Sequence, residues 1–157
     1  MNPVKKPEYS DVILGVNPFT HNITIPCAYI PVKEYKDEGD GILINRDIKI
    51  EATPFTRFFT RAEDRKIVNL LSDKGKSLLL WLVYELEYGK DYLWINKDRY
   101  MEEAEVKSYT TYSNAVKELI RYGFLAHTVV KEVFWINPTF IFKGNRITKY
   151  AHLIKEK

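Results

Sequence analysis

Thr110, Thr111, Asn114, Lys117 and Arg121 recur at spacings of three and four residues between Ser108 and Tyr122. At about 100° per residue, that spacing puts them on one side of a helix, with Glu118 among them. Tyr109, Tyr112, Val116, Leu119 and Ile120 fall on the other side and are expected to pack against the rest of the domain. Short hydroxyl and amide groups suit hydrogen bonds to base edges, and a lysine and an arginine further along suit phosphate or guanine. With Ser108 at the cap, these residues form a candidate DNA-reading face. A solvated amphipathic helix has the same pattern, so the surrounding elements must decide between the two.

Three further cations extend this face. Lys131 lies at the tip of an expected hairpin, and Lys143 and Arg146 lie in the C-terminal segment. From Lys143 to Lys157 the chain carries Lys143, Arg146, Lys149, Lys155 and Lys157 against the single acid Glu156. That density suits a phosphate-contacting arm with salt-dependent affinity, or else a solvated tail. Asp98, Glu102, Glu103 and Glu105 oppose the pattern, because an acidic helix belongs away from phosphate. Catalytic chemistry lacks an inventory. His21, His127 and His152 are far apart and form no His-x-His pair, no phosphate-binding loop is present, and the acids around Tyr35–Asp40 read as a solvated loop. No enzyme activity, cofactor or metal site is expected.

The elements that would position the face can be read from periodicity and caps. Residues 1–57 read as a β-rich segment with strands at Val12–Val16, at Ile23–Ile30 interrupted by Pro26, and at Ile42–Ala52. Pro31–Gly41 reads as an exposed charged loop. Residues 58–146 read as a winged helix-turn-helix domain. Thr60-Arg61-Ala62-Glu63 has the capping-box form and opens a first helix. Ser72–Gly75 breaks it, and Lys76–Glu87, apolar almost all round, reads as a central buried helix ended by Tyr88-Gly89. A short strand at Tyr92–Ile95 follows, then a helix at Lys97–Glu103 capped by Asn96. The Ser108–Tyr122 helix comes next, stopped by Gly123. Phe124–Val130 and Glu132–Asn137 then form a hairpin. Helix, strand, helix, helix, hairpin is the winged-helix order. Residues 147–157 form a basic tail. The expected class is therefore α+β.

Composition sets the bounds. The 157 residues are 45% hydrophobic and 14% aromatic, enough for a packed core, and the net charge of +3 is mild. Cys27 is the one cysteine, which excludes an internal disulfide and favours a reducing, cytoplasmic setting. The N-terminus has no long apolar run, so no signal peptide is expected. The longest apolar run, Leu78–Tyr84, is too short to span a bilayer, so no membrane partner is expected.

Ile136–Arg146 reads INPTFIFKGNR. Together with Val116–Ile120 and Gly123-Phe124-Leu125, it resembles the RepL-type replication proteins of small plasmids and some bacterial phages. The resemblance covers roughly Thr60–Arg146 and more loosely the Asn17–Phe19 and Ile25-Pro26 elements before it. Where relatives show a regulator-like SRxTVSxA pattern, this chain has SYTTYSNA. The resemblance implies a non-nicking replication initiator or maintenance protein that binds double-stranded origin DNA and recruits host replication proteins. Most such modules read paired half-sites, so a homodimer is expected. The alternatives are a transcriptional regulator and a winged-helix protein-interaction or structural module.

Overall fold

In a computed structural model the chain is described over residues 4–22, 27–36, 42–51, 56–58, 62–144 and 146–150. The first element, α1 (Asp11–Leu14), is a short helix where a strand was expected. Ser10 caps it by accepting a hydrogen bond from Ile13 N at 3.3 Å, and Gly15 ends it at φ +79°. Of this apolar stretch only Leu14 is buried, and Val12 is 92% exposed. A local serine cap and a glycine stop outweigh the β propensity of so short an apolar run. A 3-10 turn over Pro18–Asn22 follows.

Strands β1 (Cys27–Lys36) and β2 (Ile42–Glu51) form an antiparallel ribbon that pairs Ile30 with Ile48 and Val32 with Arg46. The expected Ile42–Ala52 strand is therefore found. The expected loop at Pro31–Gly41 is not, because Pro31–Lys36 belong to β1. Pro26 and the Gly-Asp-Gly sequence lie outside the described residues. So do the Thr60 cap, the last residues of the basic tail and His152. β3 (Thr56–Phe58) precedes α2 (Ala62–Leu70).

The domain is built from α3 (Asp73–Glu85), β4 (Tyr92–Trp94), α4 (Lys97–Glu103), α5 (Tyr109–Arg121), β5 (Leu125–His127) and β6 (Val133–Ile136). The three strands form one antiparallel sheet in the order β4-β6-β5. Between α5 and the sheet sits the core, centred on Leu78, Leu82, Leu119, Phe124, Leu125 and Ile136, all almost fully buried. α3 begins earlier than expected. Ser72 is not part of a break but its N-cap, accepting from Gly75 N at 3.1 Å. α3 is also open on one side, with Leu80 55% and Tyr84 81% exposed. β7 (Ile141–Lys143) pairs with β3, and α6 (Arg146–Lys149) closes the described chain.

Buried polar groups tie both flanks to this domain. Asp91, just before β4, accepts from Asn17 Nδ2 at 3.1 Å and from the Tyr150 hydroxyl at 2.9 Å. Asn17 also donates to Ile136 O at 2.9 Å, and Lys149 Nζ lies 3.6 Å from the Asp91 carboxylate. Tyr92 adds a bond from its hydroxyl to the Asp11 carboxylate. A buried acceptor shared by the N-terminal segment, the sheet and the C-terminal segment leaves several groups unsatisfied when it is removed. Asp91→Ala should therefore cost about 3 kcal/mol, read as a lower urea midpoint. Asp91→Asn, which keeps an acceptor oxygen, should cost clearly less.

Burial, and after it the Asp91 carboxylate, push the Tyr150 phenol well above the ordinary tyrosine range. The phenol is thus held neutral in the fold but ionises near its ordinary value of 10.0 when unfolded. The stability it confers is whole below about pH 10 and falls as pH rises above that, because the unfolded chain then binds fewer protons. Urea midpoints measured from pH 8 to 11 should fall steeply at the alkaline end. Tyr150→Phe should flatten that fall.

Candidate nucleic-acid interface

α5 is positioned from below by α3 and from one end by the sheet. Tyr112, Ala115, Val116 and Leu119 are its buried face. Thr110, Asn114, Lys117 and Arg121 are exposed, and their spacing of four, three and four residues aligns them as one narrow stripe. Ser108 stands at the N-cap, but its hydroxyl makes no capping bond. Thr111 is half-buried at one margin of the stripe and Ser113 at the other. Ser113 was not among the expected residues, although its spacing of three residues from Thr110 and four from Lys117 places it there. Tyr109 was expected on the packed face. It is instead 54% exposed, because it begins the helix, ahead of the first turn that meets the core.

Glu118, read as part of the polar face, is engaged elsewhere. Its Oε1 accepts from Ser72 N at 2.5 Å and its Oε2 from Ser72 Oγ at 2.7 Å. In a capping box the residue three positions into a helix sends a carboxylate back to the N-cap amide. Here that position is Gly75, and the carboxylate comes from α5 instead. A Cβ on Gly75 would lie 2.8 Å from Glu118 Oε2, so the glycine leaves the space this carboxylate fills.

The helix is also fixed at its other side. The Tyr112 hydroxyl donates to Glu132 Oε2 at 2.7 Å, and burial together with that carboxylate pushes the Tyr112 phenol far above its ordinary range. Glu132 sits in the wing turn at φ +63°, a strained position for a residue with a side chain. The wing is shorter than expected, with β5 and β6 separated by Thr128–Glu132. Thr128 Oγ1 stabilises the turn by accepting from Val130 N at 3.0 Å. Lys131 is exposed at this turn.

Lys143 and Arg146 are not brought to the α5 face. Lys143 Nζ donates to Tyr84 O at 3.3 Å, near the C-terminal end of α3. Arg146 is 6% exposed and donates to Pro138 O at 2.8 Å. That burial removes Arg146 from the surface role expected of it. Lys149 is held in the same way, donating to Gly89 O at 2.6 Å. The three described cations of this segment, Lys143, Arg146 and Lys149, thus each satisfy a backbone carbonyl of the fold. In α4 part of the acidic charge is neutralised, since Arg99 pairs with Glu85 at 2.8 Å and with Glu103 at 2.9 Å. Hydrogen bonds from Trp81 and Arg99 hold the Glu103 carboxyl below its ordinary range.

Asn137 explains the INP motif. Its Nδ2 donates to Gly123 O at 2.9 Å and its Oδ1 accepts from Thr139 N at 3.0 Å, which joins the end of α5 to the exit from the wing. His21 and His127 are both exposed and lie on separate elements, a 3-10 turn and β5. Among the described residues no group of three or more His, Cys, Asp or Glu side chains is arranged to hold a metal ion. No helix among them is long and apolar enough to cross a membrane.

The element order and the β4-β6-β5 sheet are those of an α+β winged-helix-like domain. The model of the family "Firmicute plasmid replication protein (RepL)" matches residues 29–156, and the chain belongs to that family. A 20.9 kDa protein of Zymomonas mobilis is 24% identical over 162 residues, covering 90% of this chain and 87% of the relative. No solved structure matches.

The link between α5 and α3 makes a non-additive prediction. Gly75→Ala should gain about 1 kcal/mol of helix propensity but displace the Glu118 carboxylate from Ser72, so that it destabilises the native protein. In a Glu118→Ala background the clash is gone and the same change should stabilise. Chemical denaturation of the four proteins should give a coupling of at least about 1 kcal/mol.

Proposed function

We propose that the protein is a non-catalytic DNA-binding replication protein that docks α5 in the major groove of a duplex origin. The observation that carries this reading is the exposed stripe of Thr110, Asn114, Lys117 and Arg121 on the recognition-position helix of a RepL family member. Asn114 and the threonine hydroxyls would make base-edge hydrogen bonds, and Lys117 and Arg121 would reach guanine or phosphate. Ser108 and Thr111 flank the stripe, and Lys131 would touch backbone from the short wing. Because Glu118 is bound to Ser72, the stripe presents two cations and no unpaired acid. Lys143 and Arg146 support this surface through the fold and do not touch DNA. A two-fold pair of such domains reading paired half-sites, with host replication proteins recruited to the complex, completes the reading.

The decisive measurement is binding to duplexes drawn from a random pool across a salt series. The logarithm of the affinity should fall linearly with that of salt, as expected when phosphate contacts release counterions. Lys117→Glu and Arg121→Glu should each weaken binding by tenfold or more, while leaving the urea midpoint within about 0.5 kcal/mol of wild type. Binding that ignores salt, or survives both substitutions, would defeat the reading.

A further inference from the structure

Tyr109 lies beside the proposed stripe but belongs neither to it nor to the core. It precedes Thr110 by one residue and so stands about 100° round the helix from it, toward the wall of a groove that the stripe would enter. A large aromatic ring at 54% exposure needs an explanation, and its surroundings are specific. On one side its ring packs at 5.9 Å, tilted 48°, on Tyr112, which is itself anchored to Glu132. Lys97 Nζ lies 4.8 Å from its centroid, a cation–π contact. Lys97 is in the first turn of α4, where Asn96 caps the helix by accepting from Arg99 N at 3.2 Å. The ring is therefore held by Tyr112 of its own helix, and the cation approaches it from the capped start of α4. Among the described residues the Tyr109 hydroxyl has no hydrogen-bond partner.

The charge here is balanced, two cations against two acids. Lys97 and the exposed Lys107 face Asp98, next to Lys97, and Glu105, just before Val106. The first turn of α5 contains no acid.

We propose that Tyr109 and Lys97 form a backbone clamp for the DNA strand that borders the α5 stripe. The phenol hydroxyl donates to a phosphate oxygen, the ring packs on the adjoining deoxyribose, and Lys97 neutralises the phosphate. This rests on the DNA reading of α5, but it assigns a different kind of contact. Phosphate contacts fix register and carry no sequence information, whereas the stripe reads bases.

The two roles separate in one experiment. A duplex selected by the wild-type protein from a random pool and a scrambled duplex of the same length are titrated across a salt series. Tyr109→Phe, which keeps the ring and removes the donor, should weaken both duplexes by the same factor, roughly three- to tenfold. Lys97→Met should also weaken both equally and reduce the slope of log affinity on log salt by about 1. Asn114→Ala, by contrast, should weaken the selected duplex and spare the scrambled one. If wild-type protein binds neither duplex, the DNA reading itself falls. If it binds while Tyr109→Phe and Lys97→Met match wild type, or alter sequence preference, the clamp alone is overturned. Equal urea midpoints for wild type and the two clamp variants confirm that folding is not what changed.

Discussion

The orientation of α5 rests on one carboxylate. Glu118 leaves the last turn of that helix, crosses 46 positions of sequence and closes the N-terminus of α3 at Ser72. A helix N-terminus carries unpaired amides and a partial positive charge, so a carboxylate there is favoured twice, by hydrogen bonding and by the dipole. The apolar packing between α3 and α5 would tolerate some rotation or sliding, because hydrophobic contact is not directional. Two hydrogen bonds to one residue do not tolerate it. Gly75 is the other half of this device, since any side chain there would occupy the volume of the carboxylate. Tyr112 with Glu132 provides a second polar tie, between α5 and the wing turn. Between them the two ties fix both the rotation of α5 about its axis and its distance from the hairpin. That is what turns an amphipathic helix into a surface with a defined outward stripe.

The basic C-terminal segment shows why charge density along a sequence is a poor guide to charge on a surface. Lys143, Arg146 and Lys149 each end on a backbone carbonyl, of Tyr84, Pro138 and Gly89 respectively. Tyr84 lies in the last turn of α3, where carbonyls lack intrahelical partners and favour a cation. The segment returns to Asp91 through Tyr150, where it meets Asn17 from the other end of the chain. These cations stitch the C-terminal segment onto the domain.

What could be read from the sequence followed locality. α5, its glycine stop, β4 and the capped α4 were legible because caps and periodicity act within one or two turns. The register-setting alternation of Ile44, Ile48 and Ile50 was legible for the same reason. Ser72 reads as a breaker because Gly75 stands where a capping box has its Glu or Gln, and the carboxylate that replaces it comes from Glu118, 46 positions away. Val12–Val16 reads as a strand when its apolar character is weighed above the Ser10 cap and the Gly15 stop, although both of these signals are local. Charged Pro31–Lys36 looked like a loop, yet it pairs along its full length with β2, as backbone pairing is indifferent to charge when a partner strand is present. Within the candidate site, the stripe was legible from spacing. The exposure of Tyr109 and the burial of Arg146 were not, since both depend on where other elements end.

Family likeness and proposed recognition reside in different residues, and the energetics differ accordingly. Asn137 and Phe140 of the INPTFIFKGNR motif lock the wing exit to the end of α5, and the buried Phe142 packs on Tyr150, so changing them disturbs the frame. Thr110, Asn114, Lys117 and Arg121 are exposed and make no packing contribution of comparable size, so changing them costs little stability. A domain divided in this way holds its fold with one set of side chains and presents the proposed DNA contacts with another. Within SYTTYSNA, Tyr112 and Ala115 belong to the frame, while the exposed Thr110 and Asn114 belong to the presenting set and can vary without disturbing it.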